Sequence, residues 1–429
     1  MEVFKFGGGS VRDAEGVKQL VHILSLYPDT QKVVVVSAIG KTTNLLETIL
    51  DAFIKEDEAE KQRLFTQLKE NHYYIAHALL PQNPKLLAGI DILLNSLHTL
   101  LLEKPSTDYD YEYDRIVSFG ELLSTTLISA YLTEKGVANQ WLDARQVIHT
   151  DNTHREGKVD WTTSTSAIQA KVKEALSIGN DIVITQGFIG GTATQQTTTL
   201  GREGSDYSAA IFAYALDVKN VTIWKDVPGF FTADPRIFPD AVKLDRIPYE
   251  EAIELSYYGA SIIHPKTLKP LQNKNIPLHV KSFFTPELSG TTISAEGEEE
   301  LTPCYIFKKN QILISIFPKD FSFIAVDSLS EIFHILSTHR IKINLMQNSA
   351  LSFSICVDNI PLRVEKVLQE LGEKYKVKYN DKVELGTIRH YSDDSIRLAT
   401  QGKTALVEQK NRTTIQLVLQ KDCNTDFAD

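Results

Sequence analysis

The stretch Val3-Phe4-Lys5-Phe6-Gly7-Gly8-Gly9-Ser10 is a short apolar run broken by three glycines. Glycine lets the backbone turn tightly and approach a neighbour closely, so the run reads as a strand ending in a turn. A helix is expected to start at Ser10 or Asp13 and to carry Val17, Leu20, Val21 and Leu24 on one face. Val33 to Val36 then supplies four β-branched residues without alternation, the pattern of a parallel strand covered on both faces. It too ends in a turn, Ser37 to Lys41. Strands are also predicted at Asp181–Thr185 and Val221–Trp224, with helical stretches at Ser164–Ser177 and Ala209–Ala215. This alternation predicts an α/β fold, a mostly parallel sheet with helices on both faces, whose ligands sit beyond the carboxyl ends of the strands.

Residues 51 to 104 carry leucines at spacings of three and four, including Leu64, Leu68, Leu79, Leu86, Leu93, Leu94, Leu97 and Leu100, and predict amphipathic helices packed on the sheet. Asp108 to Asp114 alternates acids with Tyr109, Tyr111 and Tyr113 and reads as a solvated loop before a helix. Ser294 to Leu301 (SAEGEEEL) is a composition shift that marks a linker or domain edge. Beyond it come strand (Gln311–Phe317), helix (Ser328–Thr338), strand (Ile343–Gln347), strand (Ser352–Val357), helix (Pro361–Tyr375) and strand (Val377–Tyr379). That βαββαβ order is a small ferredoxin-like α+β unit. A shorter second round follows, with strands near Val383–His390, Thr404–Glu408 and Thr413–Leu419 around a helix at Asp393–Gln401.

The balance of 45 basic against 55 acidic residues gives a net charge of −10, and no basic run exceeds a pair, which argues against nucleic acid as a partner. Cys304, Cys356 and Cys423 are far apart and odd in number, which disfavours a disulfide framework or a zinc site and fits a reducing compartment. No apolar run approaches the roughly 18 residues of a spanning helix. A cytoplasmic protein without a membrane segment is expected.

Three strand-end turns carry the chemistry. At Lys5-Phe6-Gly7-Gly8-Gly9-Ser10 the backbone amides and the following helix dipole favour an anion, although Lys5 precedes the glycines and neither the Walker nor the GxGxxG spacing is present. In Thr199-Leu200-Gly201-Arg202-Glu203-Gly204-Ser205-Asp206, Arg202 offers a fork for a carboxylate, while Ser205 or Asp206 could equally be a helix cap. Trp224 to Arg236 (WKDVPGFFTADPR) leaves a strand into a Pro and Gly turn and reads alike as an ordinary turn or a nucleotide loop. Glu121, near the start of an apolar helix, is a binding carboxylate or a capping residue. Lys5, Arg202 and Lys225 together make a convergent anion site, and phosphoryl transfer is the reaction class it suits.

In these stretches, with SAIGKTTNL (37–45), SFGELLS (118–124), DARQVIHT (143–150) and GASIIHPKTL (259–268), the chain resembles aspartate kinases of the amino-acid kinase superfamily with C-terminal ACT regulatory modules. The resemblance implies a catalytic domain over 1–296 and a linker with the leading strand of the second module over 297–310. The first ACT-like module would cover 311–381 and the second, shortened one 382–429. It implies transfer of phosphate from ATP, with Mg2+ held through the ATP phosphates, to the side-chain carboxylate of L-aspartate. That is the first step toward lysine, threonine and methionine. Lys5 would stabilise the transferring phosphoryl group and Asp206 orient that lysine. Ser37, Thr43, Glu121, Arg202 and Ser205 would bind aspartate. Gly7, Gly8, Lys225, Asp226, Phe231, Arg236 and Ser261 would hold the nucleotide. An amino-acid effector and a homodimer or higher assembly through the ACT-like modules are implied as well. The chain departs from the family pattern at Gly9, Glu203, Phe231 and Ser261. Glu203 is expected to add negative charge beside the substrate anion. The alternatives are a kinase for a related acidic amino acid and a catalytically weakened amino-acid sensor.

Overall fold

The structure, a computed structural model, describes all residues except 82, 84–86, 261, 298–301, 321 and 423–429. Leu86, Ser261, Cys423 and the end of the SAEGEEEL edge therefore lie outside the described residues. The chain divides into two compact units that interleave in sequence. The first holds Met1–Phe230, Leu244–Ile253 and Ile262–Glu298; the second holds Phe231–Lys243, Glu254–Ser261 and Glu299–Asp429.

The first unit opens with β1 (Glu2–Phe6), α1 (Ala14–Ser25) and β2 (Lys32–Val36). Helices α2 (Thr42–Ile54), α3 (Glu58–Leu79), α4 (Ala88–Leu101), α5 (Tyr109–Val117) and α6 (Phe119–Glu134) come next. The chain continues through β3 (Asn139–Leu142), β4 (His149–Thr150), α7 (Trp161–Ser177), β5 (Ile182–Gln186), β6 (Ile189–Thr192) and β7 (Thr197–Thr199). Then come α8 (Gly204–Leu216), β8 (Val221–Lys225), β9 (Arg246–Pro248), α9 (Tyr249–Tyr258), whose residues from Glu254 on belong to the second unit, α10 (Pro265–Asn273), β10 (Leu278–Ser282) and β11 (Thr291–Ser294). Eight strands form one sheet in the order β3-β5-β2-β1-β8-β10-β11-β9, antiparallel only between β10 and β11. Val33 to Val36 are fully buried, as continuous apolar strands under helices must be. Each such valine contributes about 1.5–3 kcal/mol of transfer free energy. Asp13, whose side chain accepts from Gly16 N, fixes the start of α1.

Two expectations are corrected here. Asp108–Asp114 is not a solvated loop: α5 begins at Tyr109, capped by Asp108, which accepts from the amides of Asp110 and Tyr111. The period-two run of tyrosines hid an (i, i+4) pair, Tyr109 and Tyr113, and Glu112 and Asp114 are fully buried because each is paired. Secondly, Tyr109–Glu134 is long and apolar enough to cross a membrane by length and composition, but 78% of its most apolar window is buried in the fold. That is the mark of a core helix.

The second unit carries β12 (Cys304–Pro318), α11 (Val326–Thr338), β13 (Ile343–Asn348), β14 (Phe353–Asp358), α12 (Pro361–Lys374), β15 (Tyr375–Arg389), α13 (Asp393–Thr400), β16 (Lys403–Lys410) and β17 (Thr414–Lys421). The sequence suggested separate short strands for two modules; instead β12 and β15 run through both, in one six-stranded sheet ordered β13-β14-β12-β15-β17-β16. Register shifts between Lys308 and Leu313, with positive φ at Asn310 (55°) and Lys382 (56°), mark the joint. Helices α11 and α12 cover Ile312, Ile314 and Ile316, while α13 covers Ile388, Ile415 and Leu417. In this unit Phe238 stacks on Tyr305 and Phe307, and Tyr305 N donates to Thr232 O.

Candidate active site

Strand β1 lies between β2 and β8, all three parallel, so their carboxyl ends open side by side into the glycine turn, the Ser37–Lys41 turn and the Lys225 turn. Lys5 is buried on β1 and its Nζ lies 2.6 Å from Asp206 Oδ1. Lys225, at the end of β8, places its Nζ 3.2 Å from Asp206 Oδ2. Asp206 sits in the first turn of α8 and is almost wholly buried. Burial alone would raise its carboxyl, but the charges of Lys5 and then Lys225 outweigh it and hold the group below its ordinary value. One carboxylate thus bridges two lysines drawn from adjacent strands. Asp206 does not cap α8, whose N-terminus has no side-chain cap.

The glycine turn is tied to its neighbour. Gly40 N donates to Gly8 O at 3.0 Å, and a Cβ at Gly8 would lie 2.4 Å from Ala38 O. Only glycine fits there, and the cradle leaves its amides to an anion. Gly7 O takes the amides of Ser10 and Val11.

Helix α6 presses on the same turn: a Cβ at Gly120 would come within 2.9 Å of Ala38 Cβ. That closeness delivers Glu121, whose Oε1 accepts from Ala38 N at 3.1 Å. Its Oε2 is buried and has no hydrogen-bond partner among the described residues. Burial pushes the carboxyl up to about 8 against the weaker pull of the Ala38 amide and the Lys5 charge. The Ser124 hydroxyl donates to Ser37 O at 2.8 Å, and Ser37 and Thr43 are half-buried at the mouth of the turn and in the first turn of α2.

Arg202 is exposed on the loop from β7 to α8, and no ion pair holds its guanidinium among the described residues. Glu203, next to it, is left-handed (φ 58°) and has its Oε2 3.9 Å from Lys225 Nζ. Its carboxylate therefore stands beside the same lysine that Asp206 holds. Ser205 is buried against Gly187, where an added Cβ would lie 2.5 Å from Ser205 Cβ. Asp226 is exposed after Lys225. Phe231 and Arg236 fall in the second unit, where Arg236 pairs with Asp234 at 2.8 Å. Lys5, Gly7, Gly8, Ser37, Glu121, Ser205, Asp206 and Lys225 are thus gathered around the carboxyl ends of the central strands of the first unit. Sequence reasoning missed Asp114, Thr199, His154 and the use of Lys266, whose Nζ donates to Leu200 O at 3.0 Å and lies over the Tyr207 ring. Their contacts join segments 40 to 85 residues apart, and no local pattern announces them.

Residues 1–282 match the amino acid kinase family. Over 392 residues the chain is 32% identical to lysine-sensitive aspartokinase 3 of Escherichia coli, covering 88% of this chain and 84% of that protein. It is also similar to two solved structures of aspartokinase III of E. coli, each 28% identical over 98% of this chain and 96% of the other. The complex with lysine and aspartate has a TM-score of 0.86, and that with aspartate and ADP one of 0.80. A buried carboxylate between two strand-end lysines, a glycine cradle and a fold shared end to end place the chain in the amino acid kinase family, among its aspartokinases.

Proposed function

We infer that the chain transfers the γ-phosphoryl group of ATP to the side-chain carboxylate of L-aspartate, giving 4-phospho-L-aspartate and ADP. The observation that carries the reading is a pair of groups of opposite charge type that the fold leaves uncommitted. Glu121 has a buried oxygen without a partner, and Arg202 a guanidinium without an ion pair among the described residues. A zwitterionic amino acid offers an ammonium to the first and a carboxylate to the second. Its side-chain carboxylate then faces the glycine turn. One of its oxygens attacks the γ-phosphorus as the bond to the ADP oxygen breaks, and no proton need be moved. Lys5 stabilises the charge on the transferring group, and Lys225 that on the phosphates. Asp206 keeps both lysines aimed without solvent reorganisation. Gly7 and Gly8 give their amides to the phosphates, and Ser37, Thr43 and Ser205 line the aspartate pocket.

Mg2+ is assigned to the phosphates of ATP, a hard cation that prefers oxygen ligands. Bound there, it would neutralise phosphate charge. Asp226, Phe231, Arg236 and Ser261 are assigned to the nucleotide, and the regulatory region of 297–429 is assigned to an amino-acid effector and to self-association as a homodimer or higher. The reading includes a cytoplasmic enzyme of amino-acid biosynthesis.

The test is ATP-dependent acyl phosphate formation, trapped with hydroxylamine, on L-aspartate, L-glutamate and N-acetyl-L-glutamate in parallel. Turnover on aspartate, lost in Lys5→Ala, is the expected result. Aspartate binding without turnover would overturn the enzyme reading in favour of a sensor, and turnover on another acid would move the substrate.

A further inference from the structure

Asp114 lies in α5 with its side chain fully buried, outside the set of residues assigned to substrate or nucleotide. Its Oδ1 accepts from the Thr199 hydroxyl at 2.7 Å. Its Oδ2 accepts from Arg155 N at 3.0 Å and stands 2.9 Å from His154 Nδ1. One carboxylate therefore ties α5 to the 154–155 turn and to the last residue of β7. A buried carboxylate with three donors is costly to disturb, because each donor left unpaired pays its desolvation.

What those segments support is the Arg202 loop. Thr199 precedes Leu200, Gly201 and Arg202 directly, and Thr199 O takes the amide of Gly157 at 2.9 Å. Gly201 (φ 79°) rests on the same turn, where an added Cβ would lie 3.3 Å from Arg155 O. Arg155 is itself left-handed (φ 65°), with its guanidinium 4.3 Å from the Tyr113 ring centroid and 3.2 Å from Asp110, so the turn wraps the helix that carries Asp114. That helix runs through Ser118 into α6, which carries Glu121. The two groups assigned to the ends of the amino acid, Glu121 and Arg202, are thus joined through a single carboxylate.

We propose that Asp114 is a positioning residue that sets the placement of Arg202 relative to Glu121, and through it the affinity for the amino-acid substrate. This rests on the aspartate kinase reading. Asp114 touches no reacting atom; it acts by holding a loop whose displacement by 1 Å is enough to spoil a bidentate clamp. The hydrogen bonds of Asp114 go to Thr199, His154 and Arg155 and to no residue of β1, β2 or β8, so the effect falls first on the amino-acid substrate.

The experiment compares Asp114→Asn, Thr199→Val and Thr199→Ser with the wild-type chain. Asparagine keeps the shape but turns an N–H toward the Arg155 amide or the Thr199 hydroxyl. The KM for aspartate is expected to rise about tenfold or more in Asp114→Asn and about threefold or more in Thr199→Val. Thr199→Ser restores it, while the KM for ATP stays within about twofold and kcat within about threefold. An aspartate KM within twofold of wild type in both Asp114→Asn and Thr199→Val overturns the proposal. So does a KM for ATP that rises alongside that for aspartate, the pattern of a merely structural role. Should Asp114→Asn not fold, the Thr199 pair decides by the same criteria. A wild-type chain that does not turn over aspartate fails the kinase reading itself, and the proposal falls with it, whereas turnover by wild type with unmoved variants fails the proposal alone.

Discussion

On the proposed assignment of the substrate ammonium to Glu121, stability, binding and pH meet in one testable quantity. The Glu121 carboxyl is raised from an ordinary 4.5 to about 8, chiefly by burial. The folded state therefore holds a proton that the unfolded chain releases, and stability from this group is full below 4.5 and drains away until pH passes about 8. At 1.36 kcal/mol per unit, the shift amounts to about 5 kcal/mol overall, of which about 2 kcal/mol is lost between pH 6 and 8. Glu121→Gln is isosteric with the protonated acid and carries no such loss, so relative to wild type it gains about 2 kcal/mol over that range. Urea unfolding followed by tryptophan fluorescence reads this directly, since Trp141, Trp161 and Trp224 all belong to the unit that holds Glu121. Binding an ammonium reverses the balance, because the carboxylate then has a cation. Calorimetry at pH 7 in buffers of different ionisation enthalpy should find about 0.9 proton released per aspartate bound. Glu121→Gln should bind aspartate at least about tenfold more weakly. Parallel stability profiles for the two proteins between pH 6 and 8, or aspartate binding without proton release, would refute the reasoning.

Asp206→Asn leaves Lys5 and Lys225 facing a neutral amide, and should destabilise the protein by about 3–5 kcal/mol while cutting turnover at least about a hundredfold. Since the Asp206 carboxyl lies below its ordinary value, its contribution is present above the ordinary carboxylate range and is lost as pH falls through the folded value, so the variant should also show a flatter acid limb in unfolding. An unchanged acid limb would count against the bridge. Gly8→Ala puts a methyl 2.4 Å from the Ala38 carbonyl, a backbone atom that cannot swing aside. The turn must shift, and the KM for ATP should rise about tenfold or more with a loss of about 1–3 kcal/mol; nucleotide binding at the wild-type level would remove the glycine turn from the phosphate site.

The strands that build the site were readable because they obey one rule over a few residues: Val33 to Val36 is apolar without a break and ends in a turn. The lysines at strand ends and the glycines between them follow from the same local reading. Glu121 was open between cap and ligand, and only the approach of Gly120 to Ala38 settles that its carboxylate meets a backbone amide across the fold. Asp114 was lost for a different reason. Three tyrosines alternating with acids look like a polar loop, and the signal that α5 is a buried helix lies in Asp108 as a cap and in partners up to 85 residues away. The long strands β12 and β15 escaped notice because Asn310 and Lys382 break the alternation at bulges while the pairing runs on.

Glu203 shows how such long-range demands set local strain. A left-handed backbone costs a non-glycine residue about 1 kcal/mol, and a pair at 3.9 Å between partly exposed groups returns less than that. The conformation must therefore be imposed from elsewhere. Gly204 is jammed against Phe188, where an added Cβ would lie 2.7 Å from Cδ2, and the Ser208 hydroxyl takes the Phe188 amide at 2.9 Å. These contacts seat the start of α8 on the turn after β5, directly beside the left-handed Glu203. The same seating puts Asp206 between Lys5 and Lys225. Strain at Glu203 and the aim of the two lysines are two results of one packing contact, and that is why an unfavourable residue stands beside the most exactingly placed carboxylate of the site.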